Sequence, residues 1–171
     1  MRYDYKKLYQ KNAAFYTTHP KALRALLFTN TTLTWFFVFG FGAFLLYAYF
    51  AGYTLPDFLK MIGLPLFCLC LVGILRIAVK RPRPYSEKGA SITPFLKKSS
   101  DENQSFPSRH VASAFVISMV LSAYLPWAGI CSLVFSLVLS YVRFAIGVHY
   151  PSDLIGGACV GLISGIFVFI F

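Results

Sequence analysis

The chain has 171 residues, of which 57% are hydrophobic, 18% aromatic and only 13% charged. About a quarter of the residues in a soluble domain are charged, so this composition excludes an ordinary soluble fold and indicates an integral membrane protein. A mostly lipid-buried chain has little surface to offer nucleic acid, so the net charge of +10 points to anionic headgroups or a phosphate-bearing substrate.

Residues 1–25 open the chain with Arg2, Lys6, Lys7, Lys11, Lys21 and Arg24 among Tyr3, Tyr5, Tyr9, Phe15 and Tyr16. No small-residue cleavage site follows a short apolar core, so this is not a cleavable signal peptide. It reads as a basic, aromatic arm lying in the headgroup layer.

A first crossing is expected from about Leu26 to Phe50, with Gly40 and Gly42 placed to allow close helix approach. A turn over Ala51–Asp57 leads to a second, from about Phe58 to Val79, whose Lys60 can snorkel at one end. Lys80–Ser105 is a polar loop. The third crossing starts near Pro107, at the first helical position, and ends near Tyr124. Pro126 and Trp127 split the next apolar block, so the fourth runs from about Ala128 to Ala145. A short link, Ile146–Tyr150, leads into the fifth, Pro151–Phe171. The expected fold is therefore all-α: one membrane-embedded bundle over residues 1–171, with five crossings, or six if Ala25–Pro56 crosses twice. A crossing takes about 20 apolar residues, which makes that stretch short for two. Cys68, Cys70, Cys131 and Cys159 all lie in apolar blocks and read as buried small hydrophobes, with neither disulfide nor metal-site spacing.

Five crossings put the arm, residues 76–110 and residues 143–153 on one membrane face. Of the 16 Lys and Arg residues, all but Lys60 fall there, together with His110 and His149. Three pieces of this face carry chemistry. The first is Arg76-Ile-Ala-Val-Lys80-Arg81-Pro82-Arg83-Pro84, in which Arg76 and Arg83 point the same way if the helix continues for two turns. Pro82 and Pro84 make the end of that helix irregular and could aim Arg83 back over the site. Lys80 and Arg81 read equally well as site cations and as ordinary boundary residues. The second is Pro107-Ser108-Arg109-His110, where Ser108 and the first backbone N–H groups of a helix would form an anion site; a simple N-cap explains the same residues. The third holds Arg143, His149 and Asp153. An Arg among apolar residues with no acid beside it suggests an anionic ligand. Asp153, four residues after His149, can fix the imidazole tautomer and leave the other nitrogen outward as a nucleophile, or can simply stabilise a helix N-terminus. His110 has no acidic neighbour in sequence and suits a proton donor. Together these groups suit phosphoryl transfer. No carboxylate cluster suited to Mg²⁺ is present, and several arginines would repel a zinc ion, so no metal and no cofactor are expected.

The three pieces resemble the three signatures of the type 2 phosphatidic acid phosphatase superfamily of membrane lipid phosphatases. Its Lys, six residues, Arg-Pro becomes Arg76, six residues, Arg83-Pro84. Its Pro-Ser-Gly-His becomes Pro107-Ser108-Arg109-His110, and its Ser-Arg, five residues, His, three residues, Asp is kept by Arg143, His149 and Asp153. Arg76 stands for Lys, Arg109 for Gly and Val142 for Ser; none of these removes a proton-transfer group. The resemblance covers Arg76 to Phe171. It implies that His149 attacks phosphorus, that Asp153 orients it, and that His110 protonates the leaving oxygen and then activates water. It further implies that Arg76, Arg83, Ser108 and Arg143 hold the phosphoryl oxygens without a metal; Arg109 and Lys80 are added here as neighbouring phosphate-binding cations.

The implied substrate is a lipid phosphate in the bilayer. Undecaprenyl diphosphate is slightly favoured over phosphatidylglycerol phosphate and phosphatidic acid because the chain is small, like compact bacterial members, whose home is the plasma membrane. The side of the membrane stays open: the basic arm places the site in the cytoplasm, whereas such enzymes usually work on the outer face. Oligomeric state is not legible. A non-catalytic phospholipid or phosphate binder or transporter would use the same cations but has no need of a nucleophile and an acid. A purely structural membrane protein would tolerate Arg143→Lys.

Overall fold

Apolar stretches broken by Pro, Gly and short polar turns give an all-helical chain. In the computed structural model, which describes residues 2–86, 92–96 and 102–170, the helices are α1 (Arg2–Thr18), α2 (Pro20–Phe50), α3 (Leu55–Val79), α4 (Arg109–Tyr124), α5 (Pro126–Ala145) and α6 (Pro151–Ile166), closed by a 3₁₀ turn at Phe167–Phe169. Pro residues at the starts of α2, α5 and α6 explain three of these boundaries: Pro lacks the N–H that a first-turn residue leaves unpaired anyway, and it cannot continue a preceding helix.

The helix starts differ from expectation where such local signals were read too loosely. The first crossing begins at Pro20, six residues earlier than Leu26, and α5 begins at Pro126. α2 is one unbroken helix of 31 residues, about 46 Å at 1.5 Å per residue, so a second crossing within Ala25–Pro56 has no room. Pro107 does not open α4. The N-cap is Ser108, held extended (φ −73°, ψ 115°) while its N–H donates to the Asp153 carbonyl at 3.0 Å. At the end of α2, Gly52 takes φ 79° to turn the chain. Asp57 then accepts from the Thr54 N–H at 3.0 Å and the Thr54 hydroxyl at 2.6 Å to start α3.

α2, α3, α5 and α6 (with its 3₁₀ turn) are long and apolar enough to cross a membrane, and α4 is a shorter apolar helix. α4 stands in the middle. Val111, Ala112, Ala114, Phe115, Val116, Ser118, Val120 and Leu121 are buried, because α3, α5 and α6 all pack on it and α2 touches it. The outer helices present Phe28, Phe39, Leu59, Leu66, Ile130 and Leu137 outward, which is where lipid meets a membrane bundle. Cys70, Cys131 and Cys159 belong to that outward set. Only Cys68 is buried, so the reading of all four cysteines as interior residues is corrected: the lipid around a bundle accepts small apolar side chains as readily as its core does.

Close helix approach also lies elsewhere than expected. Gly40 and Gly42 meet no other helix: Gly40 has only its own helix's Phe36 at 4.0 Å and Gly42 has nothing within 4 Å. The close contact is between α6 and α4, where a Cβ on Gly157 would stand 2.8 Å from the Ser108 carbonyl. One on Gly161 would stand 2.5 Å from the Ala112 carbonyl, and one on Gly165 2.4 Å from the Met119 Cβ. Three glycines four apart let the two backbones touch, and that contact seats the start of α4 against the start of α6.

Candidate active site

The starts of α4 and α6, the ends of α3 and α5, and the loop after α3 meet at one end of the bundle. There they enclose a cavity of about 160 Å³ lined by Arg76, Arg83, Arg109, His110, Arg143 and His149, with Tyr85, Leu96 and Val148 completing the wall. α1 packs at this same end, its Tyr5 hydroxyl reaching the His149 carbonyl at 3.4 Å, so the basic arm and the cavity share one face.

Arg76 points inward from the last turn of α3 and donates to the Gln104 carbonyl. Arg83 reaches the same cavity from an irregular chain beyond the helix, the second of the two routes expected. α3 ends at Val79, and Lys80 takes a left-handed conformation (φ 46°). The chain beyond is then pinned by the Arg83 N–H to the Glu102 carbonyl (2.8 Å) and the Ser105 N–H to the Arg81 carbonyl (2.9 Å). A continued helix is ruled out by Pro82 and Pro84; the loop does the aiming, and the Arg83 side chain donates to the Val148 carbonyl at 3.4 Å. Lys80 is the exception among the cations grouped on sequence: it is exposed and is not among the lining residues.

Arg143 is buried in the last turn of α5. Its Nη2 donates to the Thr34 hydroxyl of α2 at 3.4 Å, and its Nε has no partner in the protein. A guanidinium lining a cavity of cations is suited to an anion, whose oxygens it can meet with more than one N–H. Ser108 is fully buried at the N-cap of α4, but its hydroxyl makes no capping bond and has no partner. It stands one residue behind the lining residues Arg109 and His110 and is not itself part of the lining. His110 opens directly into the cavity.

His149 is 3% exposed, and its Nδ1 lies 3.6 Å from Asp153 Oδ2. Burial holds its pKa below the usual imidazole value; Asp153 opposes that shift, and the positive charges of Arg83 and Arg143 reinforce it. The carboxylate itself is buried and heavily used. Oδ2 accepts from the Tyr150 N–H at 3.0 Å and from the Ser105 hydroxyl, and Oδ1 accepts from Arg81 at 2.8 Å. Asp153 therefore both caps α6 and faces the imidazole, so the two sequence readings of it hold together.

Two partners of Asp153 were not legible as such from the sequence. The Ser105 hydroxyl lies within hydrogen-bonding distance of both Asp153 Oδ2 and, at 3.5 Å, His149 Nδ1. Arg81 pairs with Asp153, donates to the Ser152 hydroxyl at 2.7 Å and stacks over the Tyr150 ring at 4.2 Å. Ser105 carries no distinguishing spacing, and Arg81 read equally well as a site cation and as a boundary residue. Among the described residues no three His, Cys, Asp or Glu side chains come together as metal ligands.

A family model, the PAP2 superfamily, matches residues 42–171. The chain belongs to the PAP2 superfamily. Over 68 residues it is 37% identical to a lipid A 4'-phosphatase of Bacteroides thetaiotaomicron, a match covering 38% of this chain and 30% of the relative. Over 71 residues it is 34% identical to Escherichia coli K12 YbjG, provisionally named an undecaprenyl-diphosphatase, covering 41% and 35%. The matches thus span about a third of each curated relative's length. In fold it is similar to a PAP2-type phosphatidylglycerolphosphate phosphatase from Bacillus subtilis, with a TM-score of 0.61 at 22% identity over 98% of this chain and 94% of that one.

Proposed function

We propose that this chain is a membrane lipid phosphatase that releases phosphate through a phosphohistidine intermediate. The observation that carries the reading is that a carboxylate-oriented imidazole, His149, and a second imidazole, His110, line one cavity ringed by Arg76, Arg83, Arg109 and Arg143. Membership of the family supports it.

In this mechanism the nitrogen of His149 away from Asp153 attacks phosphorus and forms a P–N bond. The P–O bond to the lipid breaks, and the departing oxygen takes a proton from His110. His110 then accepts a proton from water, the resulting hydroxide attacks the phosphohistidine, and P–N cleavage frees phosphate and restores His149. Asp153 holds the tautomer and balances the charge that develops on the ring. Arg76, Arg83, Arg143 and the first N–H groups of α4 surround the phosphoryl oxygens, with Arg109 beside them and Ser108 one residue behind, at the N-cap of α4. Lys80 is left out of this set, since it lies away from the cavity. Guanidinium groups neutralise the transferring group here, so we take the reaction to need no metal.

The substrate is a lipid mono- or diphosphate, with undecaprenyl diphosphate slightly favoured and phosphatidylglycerol phosphate or phosphatidic acid as alternatives. The enzyme acts from within a bacterial plasma membrane. The relatives' names point to different lipids, namely lipid A, undecaprenyl diphosphate and phosphatidylglycerolphosphate, so the choice is made by assay: phosphate release from a panel of lipid mono- and diphosphates, by purified protein in EDTA, beside His149→Ala. Metal-free release that vanishes in the variant is the expected result. A folded protein that binds phosphate but turns over none of the lipids would be a binder instead.

A further inference from the structure

The link between α5 and α6, Ile146–Tyr150, has no regular secondary structure beyond a turn, yet it delivers His149 to the cavity. Gly147 within it takes φ +83°, so its conformation has to be imposed by what surrounds it. Much of that comes from α1.

Tyr9 is 2% exposed and its ring packs against Gly147, where a Cβ would come within 2.4 Å of it; its hydroxyl donates to the Thr93 carbonyl at 2.8 Å. Asn12 donates to the Ala145 carbonyl at 3.4 Å, one of the carbonyls that the end of α5 leaves unpaired. The Tyr5 hydroxyl donates to the carbonyl of His149 itself at 3.4 Å. Its ring packs on Tyr150 (centroids 4.9 Å apart) and on Phe144 (6.0 Å). Tyr150 is in turn covered by Arg81, the partner of Asp153. Segment 92–96 is drawn into the same arrangement, since the Phe95 N–H donates to the Ile146 carbonyl at 3.1 Å.

We propose that α1 is a strap that fixes the His149 link, with Tyr5 and Tyr9 as positioning residues for the reaction. The role rests on the phosphatase reading but concerns residues that lie before the family match, which begins at residue 42. Among the described residues, no α1 side chain lines the cavity. The strap therefore acts on where the His149 imidazole points and leaves the cations that hold phosphate in place.

The test compares the wild type with Tyr5→Ala/Tyr9→Ala and with the conservative pair Tyr5→Phe/Tyr9→Phe, which keeps the rings. Phosphate release from a short-chain lipid phosphate in detergent should show kcat about tenfold lower in the Ala pair at a KM within about twofold of wild type, and substantially restored in the Phe pair, since ring contact supplies most of the hold. An equal kcat in a folded Ala pair overturns the proposal, as does a loss confined to KM. A second readout is independent of turnover. In protein carrying ¹³C-labelled histidine, the His149 resonance, assigned by its loss in His149→Gln, should shift or broaden in the Ala pair while that of His110 stays in place. If the wild type releases no phosphate, the phosphatase reading falls on the first assay and the strap is still judged on the second; an unmoved His149 resonance sinks it.

Discussion

His149 Nδ1 and Asp153 Oδ2 stand 3.6 Å apart, too far for a good direct hydrogen bond, and the Ser105 hydroxyl lies within reach of both. The imidazole and carboxylate are therefore coupled partly through a third side chain. Ser105→Ala leaves the carboxylate with one donor fewer and the ring with freedom to turn. A hydrogen bond to a charged group is worth about 1.5–3 kcal/mol, so kcat should fall about tenfold or more with KM little changed, and Ser105→Thr should recover most of it. Steady-state kinetics on the preferred lipid decide the matter; an unchanged kcat in Ser105→Ala would mean that Asp153 orients the ring unaided.

The environment of His149 sets a pH expectation. Its pKa lies below the ordinary imidazole value of about 6.5, chiefly through burial, with Arg83 and Arg143 adding to the effect. The ring therefore stays neutral, and able to attack, as the pH drops below about 6.5. The acid limb of kcat/KM that belongs to His149 should lie below that value, and Asp153→Asn should push it lower still, because the group that favours the charged ring is gone. The same sign governs stability. The unfolded chain binds this proton more readily than the folded one, so stability is complete above the unfolded value and declines as the pH falls toward the folded one. A pH–rate profile with the acid limb above 6.5 would contradict the first expectation.

The contact of α6 with α4 makes a prediction about folding. At Gly161 a Cβ would come within 2.5 Å of the Ala112 carbonyl, and backbone cannot move aside as a side chain can. Gly161→Ala should cost about 1–3 kcal/mol of stability, seen as a lower unfolding temperature in detergent. Gly42→Ala, at a position with nothing within 4 Å, should be neutral or slightly stabilising, since Ala is the better helix former.

Arg143 tests whether charge alone is enough. Its guanidinium donates to the Thr34 hydroxyl while the residue lines the cavity. Lys has one compact ammonium and cannot make both contacts. Arg143→Lys should lower kcat/KM about tenfold or more, while Lys80→Ala, outside the cavity, should leave it within about twofold. Equal kinetics for Arg143→Lys would return the residue to an ordinary role at a membrane boundary.

The membrane helices and the three site segments were legible because both are written in local patterns: long uncharged runs for the crossings, and cations and histidines at fixed spacing for the site. Boundaries slipped where one residue decides them. Pro20 divides α1 from α2, and Ser108 rather than Pro107 caps α4 because the Asp153 carbonyl, 45 residues away in the chain, holds its N–H. Arg83 comes inward from the irregular end that Pro82 and Pro84 announce, but the hydrogen bonds to Glu102 and Ser105 that pin this loop leave no local sign. Ser105 and Arg81 were invisible as partners of Asp153 because pairing across 48 and 72 residues leaves no periodic trace. The glycine stripe was there to be read: Gly157, Gly161 and Gly165 repeat every four residues, a stronger sign than Gly40 and Gly42, which lie two apart and so cannot share a face.

The brevity of α4 carries a consequence for how a lipid would be handled. Its 16 residues span about 24 Å, against about 30 Å for the hydrocarbon layer, and it stands among α2, α3 and α5, which are longer, and α6, which matches it until the 3₁₀ turn adds three residues. Under the proposed function, a helix shorter than the layer would let a phosphate meet His110 near its first residue while the lipid tail stays among the apolar outer helices. Only the freed inorganic phosphate would then have to leave.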